Sequence, residues 1–326
     1  MSKPKLYYLG KPDDGYGWGV ANKNLVAALS KYVTVEVDTS KRDTFDAPVF
    51  TPIGDSHLNP IRKIKRAPKV IGYCFTEWPL EDDAHRNARQ FTTIFAGSTW
   101  NVERLAEKGI PAKTLIQGVD FDLFKPQPPS DRKGFVVFSG GKFEFRKGQD
   151  YVIAAMKNFM RNHGDVVLLS AWHNPWPQTM LSMKKSWLVS DTPIDALPPE
   201  RVISLPPMPN AKMAEIYKLA HVGLFPNRCE AGNNMVMCEF MASGRTVIAS
   251  DATGHRDVLC PAAFKLSTGD YDPAGWFNPP ISDILTHLEY AYAHRAELTW
   301  RGNLCAEFVR QFTWDACAKT ILRELA

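Results

Sequence analysis

The chain has 326 residues, 44% of them apolar and 23% charged, with a formal net charge of +4. That length exceeds one ordinary core and suits two domains of roughly 150 residues each, while the apolar content excludes wholesale disorder and any need for disulfide staples. The charge is too small to mark a nucleic-acid binder, no apolar run nears the roughly 18–20 residues that span a bilayer, and six scattered cysteines with no CxxC or zinc-finger spacing read as reduced structural thiols.

The opening residues run straight into Leu6-Tyr7-Tyr8-Leu9, too short for a signal-peptide core. A cytoplasmic protein is expected, with a peripheral visit to a membrane left open. A strand at Lys5–Leu9 is followed by Gly10-Lys11-Pro12-Asp13-Asp14-Gly15-Tyr16-Gly17-Trp18-Gly19. Glycines at a strand-to-helix turn let backbone approach a ligand, and the helix start offers unpaired N–H groups to an anion, which makes Gly15, Gly17, Trp18 and Gly19 candidate site residues. The spacing is not GxGxxG, and only Asp38 could grip a ribose, so an NAD-type oxidoreductase stands as an alternative. In Val20–Tyr32 the apolar residues Ala21, Leu25, Ala28, Leu29 and Tyr32 share one helical face. Strands at Val33–Val37, Val70–Phe75 and Thr93–Ala96 and a helix at Trp100–Lys108 continue a βαβ rhythm, which predicts a mostly parallel sheet. Between them Arg62, Lys63, Lys65, Arg66 and Lys69 form a basic cluster, either a face for phosphates of lipid headgroups or DNA or an ordinary solvated loop.

The polar, proline-bearing stretch Lys125–Lys133 reads as a linker. A second series follows, with strands at Gly134–Ser139, Val166–Ser170, Val202–Leu205, Val222–Phe225 and Thr246–Ala249 and helices near Gln149–Asn162, Ala211–Ala220 and Asn234–Ser243. The fold class is α/β, two Rossmann-like domains expected to face across a cleft. After its first strand, Gly140-Gly141-Lys142-Phe143-Glu144-Phe145-Arg146-Lys147-Gly148 places three cations where open α/β sheets bind ligands. After its fourth strand, Glu230-Ala231-Gly232-Asn233-Asn234-Met235-Val236-Met237-Cys238-Glu239 runs from a polar loop into an apolar helix whose positive end can hold a phosphate. A glutamate inside that helix needs a polar partner if buried, and ribose hydroxyls would supply one. Asp120-Phe121-Asp122 spells DxD but belongs to a Gly-Val-Asp segment, and no metal site is expected. His173 suits an aromatic-lined loop, and His221 a satisfied core position.

Taken together these motifs resemble the retaining GT-B glycosyltransferases of family four. The supporting stretches are the Gly141–Gly148 and Glu230–Glu239 segments, Ala96-Gly97-Ser98-Thr99-Trp100, Gln117-Gly118-Val119-Asp120 with Phe124-Lys125-Pro126, and Thr253-Gly254-His255-Arg256-Asp257. The resemblance implies that Lys142 and Lys147 contact a donor diphosphate, Glu239 the ribose, and Glu230 with its loop the transferred sugar. Gly140, Gly141, Arg146, Gly232, Asn233, Asn234, Met235 and Val236 complete the implied donor site. It departs from the family in three places. Eight residues separate Glu230 from Glu239 where seven is commoner, Lys142 replaces the usual arginine, and Tyr73-Cys74-Phe75-Thr76-Glu77-Trp78 lacks the usual histidine, for which Glu77 or Thr76 would substitute.

The implied activity is that of a hexosyl- or pentosyltransferase. It would attack on the same face with no metal and no cofactor beyond a UDP- or GDP-linked nucleotide sugar, and the departing phosphate would take the acceptor proton. The expected partner is a saccharide or lipid acceptor, with a hydroxylated base in DNA as an alternative. A non-catalytic nucleotide-sugar-binding module is the reading from another class. The expected domains are residues 1–128 for the acceptor, 129–306 for the donor, and a helix over 307–326 crossing back to the first.

Overall fold

The computed structural model describes residues 3–128, 134–174 and 197–325. The chain divides into two compact units, one of Met1–Asp120, Ala231–Asn233 and Gln311–Ala326, the other of Phe121–Glu230 and Asn234–Arg310. Residues 129–133 of the expected linker lie outside the described residues.

The first unit carries strands β1 (Lys5–Tyr8), β2 (Thr34–Val37), β3 (Val49–Ile53), β4 (Val70–Cys74), β5 (Thr93–Ala96) and β6 (Lys113–Thr114) in the order β2-β1-β3-β4-β5-β6. Every pairing is parallel. β3 and β4 are buried along their whole length, as a sheet covered on both faces requires. The sequence reading has no strand at β3, which contains Pro52, a residue that central strands usually exclude. The register shows where the proline falls in the ladder. Leu9 N–H donates to the Phe50 carbonyl at 2.9 Å, so Phe50 and Pro52 both face the β1 side, and β1 ends at Tyr8. The same register turns the Pro52 nitrogen toward Leu9, so the missing N–H closes the β1–β3 ladder at that point, and the Pro52 carbonyl receives Ile61 N–H at 3.3 Å.

Helix α1 (Gly17–Leu29) buries Val20, Ala21, Leu25, Ala28 and Leu29 on one face. The shorter helices α2 (Ala84–Ala88) and α3 (Thr99–Ala106) follow β4 and β5, and Ser98 caps α3 by accepting Asn101 N–H. The last residues belong to this unit as well. Tyr32 hydroxyl donates to Asp315 at 2.7 Å, Lys113 pairs with Glu324 at 2.6 Å, and Val119 N–H donates to the Phe312 carbonyl at 3.0 Å.

The second unit carries β7 (Phe135–Lys142), β8 (Val166–His173), β9 (Val202–Ser204), β10 (Val222–Phe225), β11 (Thr246–Ser250) and β12 (Phe264–Leu266), ordered β12-β11-β10-β7-β8-β9 and parallel throughout. Helices α4 (Gln149–Asn162), α5 (Asn210–Tyr217) and α6 (Met235–Ala242) connect its strands. A small antiparallel pair, β13 (Asp270–Tyr271) and β14 (Phe277–Asn278), and helices α7 (Ile281–Ala293) and α8 (Leu298–Val309) complete it; the sequence reading assigned none of these, nor β12. Its core gathers Phe135, Val137, Val152, Met156, Phe159, Val222, Leu224, Ile248 and Leu288. After β9 the chain returns to the other side of β7, so the crevice outside the C-terminal ends of β7 and β10 is the topological switch point, where open α/β sheets bind ligands.

One close approach in the first unit is measurable. A Cβ on Gly118 would lie 2.2 Å from the backbone nitrogen of Trp314. Gly118→Ala should therefore lower the unfolding free energy by about 1–3 kcal/mol, read as an earlier urea midpoint.

Candidate functional site at the switch point

β7 delivers Gly140, Gly141 and Lys142 to the switch point, and a single 3-10 turn, Phe145–Lys147, leads into α4. Gly148 joins the two with φ +69°, and a Cβ there would lie 2.2 Å from the Pro226 carbonyl oxygen, so only glycine lets this turn touch the loop after β10. Backbone bonds continue the contact, Arg228 and Cys229 N–H both donating to the Arg146 carbonyl at 2.8 and 3.2 Å.

Arg228 fastens the two loops. It is 1% exposed and forms a bidentate pair with Asp150 at 2.7 and 2.5 Å, while its guanidinium lies over the rings of Phe145 and Tyr151 at 3.8 and 4.1 Å. Asp150 stands in the first turn of α4, where the helix dipole favours an anion.

This arrangement brings the predicted cations onto Glu230. Lys147 Nζ lies 2.5 Å from Glu230 Oε1, Arg146 reaches Oε2 at 3.0 Å, and Asn227 Nδ2 donates to Oε1 at 2.5 Å. Burial pushes the Glu230 carboxyl up, yet Lys147 and Arg146 outweigh it and hold the group at about 2. Lys142 pairs instead with Glu144 at 3.1 Å, and Arg146 also reaches Glu144 at 2.5 Å. Burial raises Glu144, and Arg146, Lys147 and Lys142 bring it below its ordinary value.

The start of α6 lies beside these groups. Val236 stands against Gly140, where a Cβ would come within 2.9 Å of its side chain. Asn234 caps the helix, accepting Met237 N–H on its side-chain oxygen at 3.4 Å. Glu239, within the helix, is buried and accepts from the Tyr217 hydroxyl at 3.2 Å and Asn210 Nδ2 at 3.3 Å. Burial and the Glu239 charge push the Tyr217 phenol well up. Gly232 and Asn233, read from the sequence with the donor loop, group with the first unit, where Asn233 Nδ2 donates to the Gln117 carbonyl at 3.0 Å.

Sequence reasoning missed Asn227, the Asp150–Arg228 pair and the grip of the 250–255 segment. Thr253 hydroxyl accepts Glu230 N–H at 3.0 Å, Gly254 N–H donates to the Glu230 carbonyl at 2.8 Å, and His255 approaches Asn234 at 3.1 Å. Asp150 lies 78 positions from Arg228, so no local spacing signals the pair.

In the first unit, Gly15 N–H donates to Asp13 at 2.8 Å, shaping the loop before α1, and Trp18 meets Phe75 edge-on at 4.9 Å. Gly17 and Gly19 lie in the first turn of α1. Glu77 is half-buried after β4, next to the buried Thr76 that Asn101 holds. Two residues of the basic cluster meet carboxylates of their own unit. Arg62 pairs with Asp38 at 3.3 Å and Lys65 with Asp43 at 2.6 Å, while Lys63 and Arg66 are exposed. Asp38 also meets Arg42 at 3.4 Å, so the carboxylate an NAD reading needs for a ribose is already engaged by two arginines. His221 is half-buried and its Nδ1 accepts Val136 N–H at 2.9 Å, and Pro175 and Trp176 of the loop after His173 lie outside the described residues. Among the described residues no His, Cys, Asp and Glu group could hold a metal ion, and no helix is long and apolar enough to cross a membrane.

Two outcomes follow for stability. Asp150→Ala leaves Arg228 buried without its counter-ion and should cost about 3–5 kcal/mol in urea unfolding, much of it recovered in the Asp150→Leu/Arg228→Met pair. Acid should also destabilise the fold in two stages. Burial, aided by Lys147, brings His255 from 6.5 down to about 4, and Glu230 falls from 4.5 to about 2. Both bind fewer protons folded than unfolded, so stability rises with pH. The His255 contribution is full above 6.5 and lost as pH falls toward 4; that of Glu230 is full above 4.5 and lost toward 2. Urea midpoints between pH 7 and 4 should drop in the wild type and drop less in His255→Gln.

Residues 134–276, which contain every one of these second-unit groups, match the family described as Glycosyl transferases group 1. The chain is 27% identical over 220 residues to D-inositol 3-phosphate glycosyltransferase of Xylanimonas cellulosilytica, covering 63% of this chain and 48% of that protein. It is 28% identical over 228 residues to phosphatidyl-myo-inositol mannosyltransferase of Mycobacterium leprae, covering 69% and 55%. The matches thus span about half the length of these curated relatives. Among solved structures, sucrose-phosphate synthase from Thermosynechococcus elongatus aligns with TM-score 0.71 at 16% identity over 98% of both chains. HepE of Anabaena in complex with UDP-glucose aligns with TM-score 0.68 at 12% identity over 98% of this chain and 99% of that one. The two parallel-sheet Rossmann-like units are those of the GT-B fold, and the second carries the Glycosyl transferases group 1 match.

Proposed function

We propose that this chain is a glycosyltransferase that moves a hexosyl or pentosyl group from a UDP- or GDP-linked donor to a hydroxyl of a saccharide or lipid acceptor, with retention and without a metal ion. The observation that carries the reading is the convergence of Lys147, Arg146 and the start of α6 at the β7/β10 switch point, inside the matched stretch. Breaking the bond from the anomeric carbon to a diphosphate gathers negative charge on the leaving group. Fixed cations and a helix N-terminus aimed at that charge stabilise the transition state more than the ground state. They supply the neutralisation for which other transferases use a divalent ion. Binding the diphosphate requires Lys147 and Arg146 to turn from Glu230, which frees that carboxylate for sugar hydroxyls.

Retention is supported by the state of the carboxylates. Glu230 is held by Lys147, Arg146 and Asn227 and, once a diphosphate draws the two cations away, is taken up by sugar hydroxyls. Glu239 already accepts from Tyr217 and Asn210, and Glu144 faces Lys142 and Arg146. In this reading the acceptor proton goes to the departing phosphate, on the face where it leaves. HepE binds UDP-glucose, and both curated relatives are named for inositol-containing acceptors, which supports a hydroxyl-rich acceptor here. Glu77 and the loop with Gly15, Gly17, Trp18 and Gly19 are assigned to the acceptor side.

A thermal-shift panel of UDP, GDP, ADP, dTDP and NAD on the wild type and Lys147→Ala tests this reading. One nucleoside diphosphate at a hundredfold over its Kd should add about 2.7 kcal/mol, with the shift abolished in Lys147→Ala. A response to NAD alone, or an equal shift in both proteins, would overturn it.

A further inference from the structure

Asn234 occupies an unusual backbone position, φ 49° and ψ 82°, in the left-handed region that asparagine tolerates better than most residues. It is 6% exposed. Cys238 N–H is taken by the Asn234 carbonyl at 3.1 Å and Met237 N–H by the Asn234 side-chain oxygen at 3.4 Å. Of the N–H groups at the start of α6, Met235 and Val236 remain for a ligand.

A terminal amide has nearly the same shape when turned by half a revolution. Turned, its NH2 would face the helix N–H groups and the cap would be lost. What decides the orientation is the group at the amide's other end, and that group is His255. Its ring is 1% exposed, with Nδ1 3.2 Å from the Ser250 carbonyl oxygen and Nε2 3.1 Å from Asn234 Nδ2. A carbonyl oxygen only accepts, so Nδ1 carries the proton. In a neutral ring Nε2 is then a bare acceptor, and it faces the amide's donor. Burial keeps the ring neutral through the physiological range. The hydrogen bonds therefore run in one direction, from Met237 N–H to the Asn234 oxygen, from the Asn234 NH2 to His255 Nε2, and from His255 Nδ1–H to the last residue of β11.

We propose that His255 is a positioning residue for the donor diphosphate, locking the Asn234 amide so that Met235 and Val236 present their N–H groups to the phosphate. This rests on the donor site proposed above. The segment that carries His255 also holds Glu230 through Thr253 and Gly254, so one turn after β11 fixes the groups at both ends of the 230–234 loop.

The test is calorimetric titration of UDP and GDP into the wild type, Lys147→Ala, His255→Leu, His255→Gln, Asn234→Ala and Asn234→Ala/His255→Leu. His255→Leu should weaken the nucleotide that the wild type binds about five- to tenfold, the worth of roughly one hydrogen bond. His255→Gln, which offers an acceptor and a donor at similar reach, should recover most of that loss. In the Asn234→Ala background His255→Leu should add nothing, because the histidine acts through that amide. Wild-type affinity in His255→Leu, equal losses in the Leu and Gln variants, or losses that multiply in the double variant would each overturn the proposal. Should His255→Leu not fold, nitrogen-15 spectra of the wild-type imidazole decide: an Nδ1–H tautomer with bare Nε2 supports it, and an Nε2–H tautomer overturns it. If the wild type binds neither UDP nor GDP, the donor-site reading fails and takes this one with it; if it binds and only Lys147→Ala loses affinity, the positioning role alone fails.

Discussion

The second unit's site depends on an ion pair that no ligand needs to touch. Arg228 and Asp150, each nearly sealed from solvent, pin the loop after β10 to the first turn of α4. Two charges leave water only at a cost, and a bidentate pair clamped between aromatic rings is the geometry that meets it. Once it is made, the backbone of Arg146 receives two N–H groups, Glu230 is carried inward, and Lys147 has one direction in which its charge is answered. The pair converts two loops that meet only at strand ends into one rigid rim.

Charge alternates along that rim. Lys142, Glu144, Arg146, Glu230 and Lys147 form a chain in which each anion is shared by two cations. Such a chain gathers the cations at the switch point before any ligand arrives, close to where charge would develop during a reaction. It also means that a diphosphate enters by exchange, with its oxygens taking over contacts that Glu230 now makes.

Much of this architecture was legible in the chain. The short apolar runs ending in Tyr8, Cys74 and Ala96, and those beginning at Phe135, Val166 and Val222, are strands because a parallel sheet buries both faces. The glycine turns at Gly140–Gly148 and the loop at Glu230–Asn234 fell where strand ends and helix starts put them. β3 was not read, and its pairing with β1 closes at Pro52, a fact of register with no local trace. The candidate lysines and glutamates were visible as residue types, but which cation meets which anion was not. Lys142 turns to Glu144, and Asn227 and His255 enter the site through contacts that only the folded chain makes. Glu239 found its partners in Tyr217 and Asn210, one from the preceding helix and one from its first residue.

The discontinuity of the first unit has a consequence for how the protein is made. Tyr32, Lys113 and Thr93 find Asp315 and Glu324, and Gly118 packs against Trp314, only after the whole second unit has been synthesised. On the ribosome the N-terminal sheet emerges first and waits with one flank of α1 uncovered, while the intervening residues form a closed body of their own. Domains tend to fold as they emerge, but here vectorial order runs against topology. The closing helix must come back across a loop whose entropy grows only slowly with length, and it does so as an already folded excursion. Until residues 311–326 arrive, the first unit lacks the partners of Tyr32, Thr93 and Lys113 and the backbone against which Gly118 packs.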